Sequence, residues 1–298
     1  MKPEIDALQQ SMEELGYIAE PSLVTALFLA REMGRPLLIE GDAGVGKTEV
    51  AKVLARLLDT ELIRLQCYEG LDVHTALYEW DYQRQLLRLR MGEERGDAAG
   101  DLEDVIFSRD YLLERPLLQA ITRGGSPAVL LIDEIDRADD AFEAFLLEVL
   151  SDFQVTIPEL GTIRAEKVPH VVLTSNATRE IGDALRRRCL YVYLEHPSRD
   201  KEVRIIHARL PGVSETLARQ IAAFVHGLRG RTLVKTPGVA ETLDWAQALL
   251  TLHQDHLDVD SVRHTLGCLL KDRGDLQGVR ERDLPELVER AVDAASPA

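Results

Sequence analysis

Three uninterrupted apolar runs mark the first two-thirds of the chain: residues 37–39 (Leu-Leu-Ile), 128–132 (Ala-Val-Leu-Leu-Ile) and 171–173 (Val-Val-Leu). Runs that do not alternate with polar residues predict strands covered on both faces, the condition of a parallel sheet between helix layers. Residues 61–65 and 190–194 add two more strands. Helical spacing fills the intervals. Residues 21–31 read as a helix stopped by Gly34 and Pro36, and 49–58 as a second. Within 139–153, Phe142, Phe145, Leu146, Val149, Leu150 and Phe153 recur at helical spacing and form one core-facing stripe. Residues 155–164 predict a β-hairpin with its turn at 159–161. A break at His196-Pro197-Ser198 precedes a mostly helical remainder, with helices expected near 200–210, 214–228, 237–252, 259–271 and 284–294. The pattern predicts an α/β domain over residues 1–197 and a helical domain over 198–298. Residues 68–116 are more than a crossover helix requires, so an insertion is expected there. In it, residues 82–90 mix basic and apolar positions, and 92–104 are acidic and contain glycine.

The first strand runs directly into Gly41-Asp42-Ala43-Gly44-Val45-Gly46-Lys47-Thr48, which fits the phosphate-binding pattern GxxxxGK[ST] at every fixed position. Glycines let the backbone curl until successive N–H groups face phosphate oxygens, with no Cβ in the way. Lys47 brings positive charge to the β- and γ-phosphates, and the Thr48 hydroxyl is placed to ligate Mg²⁺. The helix that follows, with Glu49 in its first turn, points its positive end at the same phosphates. ATP and Mg²⁺ are the expected cofactors.

The strand at 128–132 ends in Asp133-Glu134, at the carboxyl edge where α/β sheets place their ligands. Asp133 is expected to hold Mg²⁺ and Glu134 to polarise the attacking water. Two acids after a strand also serve as helix caps, but Asp139 and Asp140 are better placed for that. The strand at 171–175 ends in Asn176, which reads either as a strand-end turn residue or as an amide that orients the water. Arg186-Arg187-Arg188 precedes the last strand. These arginines form a solvated face or, through Arg187 or Arg188, reach a neighbouring subunit's nucleotide. Tyr17, Ile18 and Leu23, ahead of the first strand, read as core or, as the resemblance stated next implies, as the wall of an adenine pocket.

With these motifs in this order, the chain resembles the AAA+ ATPases, and within them the MoxR family and its CoxD-like subgroup, accessory ATPases of carbon monoxide dehydrogenase maturation. The carrying segments are GDAGVGKTEVAK (41–52), LIRLQCYEGLD (62–72), ALYEWDYQRQLL (76–87), LLIDEIDRAD (130–139), LTSNATRE (173–180) and TPGVAETLDWAQAL (236–249). The resemblance implies a five-stranded parallel sheet of order 5-1-4-3-2 with a helical lid, and a sensor role for Asn176. It also implies a helix-two insert at about 68–116 and a pre-sensor-1 hairpin at about 154–166. It implies a homo-oligomeric ring, expected as a hexamer, with a von Willebrand factor A partner and a metalloenzyme client, a molybdenum hydroxylase-type enzyme. One position departs from the family. MoxR relatives usually carry an arginine after Ser-Pro at the start of a lid helix, where this chain reads Lys235-Thr236-Pro237-Gly238. Lys235 or Arg231 is left to substitute, or the lid contributes no charge.

Composition narrows the partners. A formal net charge of −16 argues against stable nucleic-acid binding through the overall field. Cys67, Cys189 and Cys268 lack metal-ligand spacing and suit a reducing, cytoplasmic setting as buried small residues. The polar start of the chain is no signal peptide, and no run reaches membrane-spanning length. Two rival functions remain: a nucleic-acid motor, and a nucleotide-dependent scaffold that hydrolyses weakly.

Overall fold

The computed structural model describes residues 3–95 and 99–295. It falls into two compact units, one of Ser22–Glu40 and Ala51–Val192, the other of Met1–Pro21, Gly41–Val50 and Tyr193–Ala298. The strands are β1 (Leu37–Gly41), β2 (Leu62–Gln66), β3 (Tyr78–Trp80), β4 (Leu112–Glu114), β5 (Val129–Asp133), β6 (Gln154–Ile157), β7 (Gly161–Arg164), β8 (His170–Ser175) and β9 (Leu190–Leu194).

The main sheet has the order β2-β5-β8-β1-β9. Its labels differ from the expected order because two hairpins interpose short strands. Numbering the sheet strands alone gives 2-3-4-1-5, which is 5-1-4-3-2 read from the other edge. Strand β5 lies parallel between β2 and β8, with Leu65 opposite Ile132 and Leu131 opposite Val172. All five of its residues are buried, as the apolar run requires. The helix Asp140–Asp152 begins on Asp139, whose Oδ1 accepts the Phe142 N–H at 2.8 Å. It sends Phe142, Leu146, Val149 and Leu150 into the core beside β5 and β8. The hairpin of β6 and β7 pairs Val155 with Ile163 around a turn that ends on Gly161 at φ +76°.

In the insertion, β3 and β4 pair antiparallel and the mixed basic and apolar stretch lies in a helix, Tyr82–Arg95. A second helix, Ala99–Ile106, follows, and the buried Gln85 amide joins the two by donating to the Ile106 carbonyl at 2.7 Å. Residues 96–98 of the acidic stretch lie outside the described residues.

The C-terminal region is helical, as expected, but its end differs in detail. The helix anticipated over 259–271 ends at Thr265 and is followed by a tight turn at Leu266–Cys268, and a further helix, Arg273–Gly278, lies beyond the expected span. Asp272 starts that last helix by accepting from the Gly274 and Asp275 N–H groups. The core of this region is built around Trp245 and Phe224, ring centroids 5.1 Å apart, with the indole N–H on Thr265 Oγ1 at 2.8 Å. Next to it lies a buried ion pair. Arg229 donates to both Glu202 oxygens at 2.7 and 2.8 Å, and the Thr242 hydroxyl adds a third bond to Glu202 at 2.8 Å. Their side chains are 7% and 0% exposed.

Removing one member of such a pair leaves the other charged and unsolvated. Arg229→Leu should therefore cost about 3–5 kcal/mol, read from denaturant unfolding followed by Trp245 fluorescence. Arg229→Leu combined with Glu202→Leu should recover most of the loss.

Candidate active site

The phosphate-binding loop leaves β1 at Gly41, where φ is +157° and a Cβ would run into the Leu194 carbonyl. Gly44 at φ +79° and Gly46 at φ +96° complete a curl that only glycine adopts without strain. The helix Lys47–Leu57 begins at the lysine itself. Lys47 is buried, and its ammonium donates to the Gly41 and Asp42 carbonyls, both at 2.7 Å. Glu49 accepts from Arg209 at 3.0 Å. Tyr17 belongs to the same unit and lies against the loop; a Cβ on Gly46 would meet its ring at 3.8 Å. Burial first, and then the Glu49 and Glu20 charges, push the Tyr17 phenol well above its ordinary pKa, so it stays neutral. Ile18 is half-buried next to it. His196 approaches Asp42 to 3.2 Å without hydrogen-bond geometry. Burial, and next the Arg229 charge, hold its pKa below the ordinary imidazole value against the pull of Asp42 and Glu202.

Residues of the helical C-terminal region also meet the loop. The Val239 N–H, in the first turn of the helix Val239–Thr251, donates to the Gly44 carbonyl at 2.8 Å. Gly238, at the position where the family arginine was expected, is buried against that contact. Of the two proposed substitutes, Arg231 is engaged within the helical region, 3.4 Å from Asp283 and 3.5 Å from Glu286. Lys235 is exposed.

In the other unit, β5 and β8 end side by side with an acid cluster between them. Asp133 is buried; its Oδ1 accepts from Thr174 Oγ1 at 2.5 Å and its Oδ2 from Arg64 Nη2 at 2.6 Å. Glu134 follows in the left-handed region, φ +55° and ψ +51°, a conformation costly for a non-glycine residue and concentrated at functional sites. Its backbone N–H is held by Thr174 Oγ1 at 3.0 Å, and its carboxylate by Gln66 Nε2 at 3.0 Å and Arg137 Nη1 at 3.1 Å. The two expected acids and Asn176 thus come to one edge of one sheet. Arg64, Gln66, Thr174 and Arg137, which hold the acids, were not singled out from sequence. Arg64 and Gln66 carry a signal in retrospect, since a charged and a polar residue on strand β2 need partners on the next strand.

Asp136 organises the Asn176 loop. It is buried; one carboxylate oxygen accepts the Asn176 N–H at 3.2 Å, and the other accepts the Thr178 N–H at 3.0 Å and hydroxyl at 2.6 Å. Ala177 between them sits at φ +55°. Burial alone would raise the Asp136 pKa, but the bonds from Thr178 and Asn176 outweigh it and leave the group below its ordinary value. Arg179 extends the anchorage through the Ala138 carbonyl at 2.7 Å and an ion pair to the buried Glu143.

The three arginines differ in engagement. Arg186 stacks 5.3 Å over the Tyr191 ring, and Arg188 donates to the Ser151 carbonyl at 2.7 Å. Arg187 is exposed. Arg35 fixes the backbone beneath them by donating to the Arg187 and Arg188 carbonyls at 2.7 and 3.0 Å. Cys67 and Cys189 are buried, and both thiols are pushed up to about 12: Cys67 by burial and then the neighbouring Asp133, Asp136 and Glu134, Cys189 by burial. Among the described residues no His, Cys, Asp and Glu cluster could hold a metal by itself, and no helix is long and apolar enough to cross a membrane.

Residues 36–189 match the AAA domain of the dynein-related subfamily. The chain belongs to that family. It is an AAA-type ATPase, related to chaperone-like ATPases. It is 25% identical to the gas vesicle ATPase GvpN1 of Halobacterium salinarum over 273 residues, which cover 88% of this chain and 75% of that protein. The gas vesicle ATPase GvpN of Haloferax mediterranei is 26% identical over 236 residues, 76% of this chain and 65% of its own. The RuvB Holliday junction branch migration motor of Thermotoga maritima aligns with a TM-score of 0.48 at 20% identity, covering 87% of this chain and 74% of RuvB.

Because the folded-state pKa of Asp136 lies below its unfolded value, the carboxylate contributes stability at pH above the ordinary aspartate range. That contribution disappears as pH falls through the folded-state value. Asp136→Asn should lower the midpoint of thermal unfolding at pH 7. The gap from wild type should close in acid, measured by calorimetry from pH 7 down to pH 3. A gap independent of pH would detach the carboxylate charge from the loop's stability.

Proposed function

We propose that this ATPase is a MoxR-type ring subunit that couples ATP hydrolysis to remodelling of a protein client. The observation that carries the catalytic part is the left-handed Glu134 beside the buried Asp133, a carboxylate aimed by its backbone and steadied by Gln66 and Arg137. The glycine curl and Lys47 fit the triphosphate, and Thr48 with Asp133 would hold Mg²⁺, which supplies charge neutralisation on the phosphates. The remaining chemistry belongs to the chain. Lys47 withdraws charge from the transferred phosphoryl group, Glu134 takes the proton of the attacking water, and the Asn176 amide orients that water.

Arg187 is the better candidate for the residue given to a neighbouring subunit. Arg187 and Arg188 are both exposed, but Arg188 spends its guanidinium on the Ser151 carbonyl and the half-buried Arg186 lies over Tyr191. The hexameric assembly and the von Willebrand factor A partner rest on the MoxR resemblance, the cytoplasmic setting on cysteines without metal-ligand spacing, and a client of the molybdenum hydroxylase type on the CoxD-like segments at 62–72 and 76–87. The net charge of −16 weighs against a nucleic-acid track.

Glu134→Gln should retain ATP and hydrolyse it at least about a hundredfold more slowly, since a general base contributes ~10²–10⁴-fold. Arg187→Ala should leave nucleotide affinity near wild type and lower turnover by roughly 10³-fold or more, with Arg188→Ala milder. Mixing the Glu134→Gln and Arg187→Ala proteins should restore part of the ATPase rate, because only mixed interfaces join an intact glutamate to an intact arginine. Absence of any recovery would place Arg187 outside a shared site. Near wild-type hydrolysis by Glu134→Gln would remove the proposed base.

A further inference from the structure

Glycine at position 238 is unusual in its reason. Its own backbone does not need glycine, since φ is −86° and ψ −174°, an extended conformation open to any residue. The requirement comes from outside. A Cβ there would lie 2.7 Å from Gly44 Cα, 2.8 Å from Gly44 C and 2.9 Å from the Ala43 carbonyl oxygen. All three are backbone atoms of the phosphate-binding loop, so no side chain can swing aside to make room. Reciprocally, a Cβ on Gly44 would lie 3.0 Å from Gly238 Cα and 3.1 Å from Glu241 Oε2. The two glycines let two backbones touch, and the Val239 N–H bonds to the Gly44 carbonyl at 2.8 Å across that contact.

The lid side of the contact is stiff. Glu241 closes the first helical turn by accepting the Gly238 N–H at 3.0 Å, and the single Thr242 hydroxyl hydrogen is shared between Glu202 at 2.8 Å and the Gly238 carbonyl at 3.0 Å. Arg229 Nε donates to the Pro237 carbonyl at 2.9 Å and ties the same turn to the buried ion pair. The Gly44 carbonyl thus accepts from the first helical turn of Val239–Thr251.

We propose that Gly238 and the Val239 N–H are positioning residues for the phosphate-binding loop, a backbone latch through which the lid registers the loop's conformation by contact. This reading rests on residues 41–48 being the ATP-binding loop. An arginine at 238 would act by charge on the phosphate. Here the same place in the fold holds the loop's main chain, and there is no volume for a side chain.

Val239→Pro is the clean test. Val239 is the first residue of its helix and follows an extended residue, where proline is tolerated, removes the N–H and keeps an apolar side chain. Its KM for ATP should rise about three- to tenfold with kcat at saturation little changed, the size expected for one lost amide hydrogen bond. Gly238→Ala should weaken ATP by about tenfold or more, as overpacking against fixed backbone does. Gly238→Arg should weaken it further, whereas a lid acting by charge would gain affinity from it. Independently of any variant, hydrogen exchange at the Val239 amide of the wild-type protein should slow when ATP is added.

Calorimetric ATP affinities of Val239→Pro and Gly238→Ala equal to wild type, with Val239 exchange unmoved by ATP, would overturn the latch. So would tighter binding by Gly238→Arg. If the wild-type protein itself bound no ATP, the reading of the loop would fail instead, which separates the two.

Discussion

The arrangement depends on buried carboxylates that must find donors at the carboxyl edge of a parallel sheet. Asp133 and Asp136 leave the end of β5 inside the protein, where a charge without hydrogen bonds costs several kcal/mol. Their partners determine the local geometry. Asp133 draws Thr174 from β8 and Arg64 from β2, so the ends of three adjacent strands are held in register around one group. Asp136 draws the backbone of 176–178 and bends it through the left-handed Ala177. Glu134 lies between these two anchored acids in the left-handed region. The strain at Glu134 is maintained by Thr174 on its N–H and by Gln66 and Arg137 on its carboxylate.

Much of this was legible. Unbroken apolar runs fix which strands are covered on both faces, and β5 with all five residues buried is the clearest case. The phosphate loop was legible because its glycines serve a local backbone requirement, visible at Gly44 and Gly46 as positive φ. The partners of the acids were not, because Arg64 and Gln66 meet Asp133 and Glu134 only through strand pairing, 69 and 68 residues apart in sequence. The helix Arg273–Gly278 was hidden for a different reason. Its stretch Lys271-Asp272-Arg273-Gly274-Asp275 looks like a polar turn, and its order comes from the Asp272 cap and from Asp275, which accepts the Val234 and Lys235 N–H groups. Gly238 shows the same limit most sharply. Its φ is ordinary, so nothing local marks it, and its necessity comes from Gly44, nearly 200 residues earlier in the chain.

The two cysteines beside these sites illustrate how position changes chemistry. Cys67 lies at the end of β2, its N–H on the Asp133 carbonyl at 2.8 Å, in the field of three carboxylates. With its thiol pushed up to about 12, it behaves as a small apolar residue packed under the acids.

Strand β1 has one consequence of its own. At its start, Arg35 grips the carbonyls of Arg187 and Arg188, and the Pro36 carbonyl accepts the Leu190 N–H at 2.8 Å. At its end, Gly41 turns into the phosphate-binding loop. At about 3.3 Å per residue, one five-residue extended strand therefore separates the backbone held by Arg35 from the glycine that opens the loop.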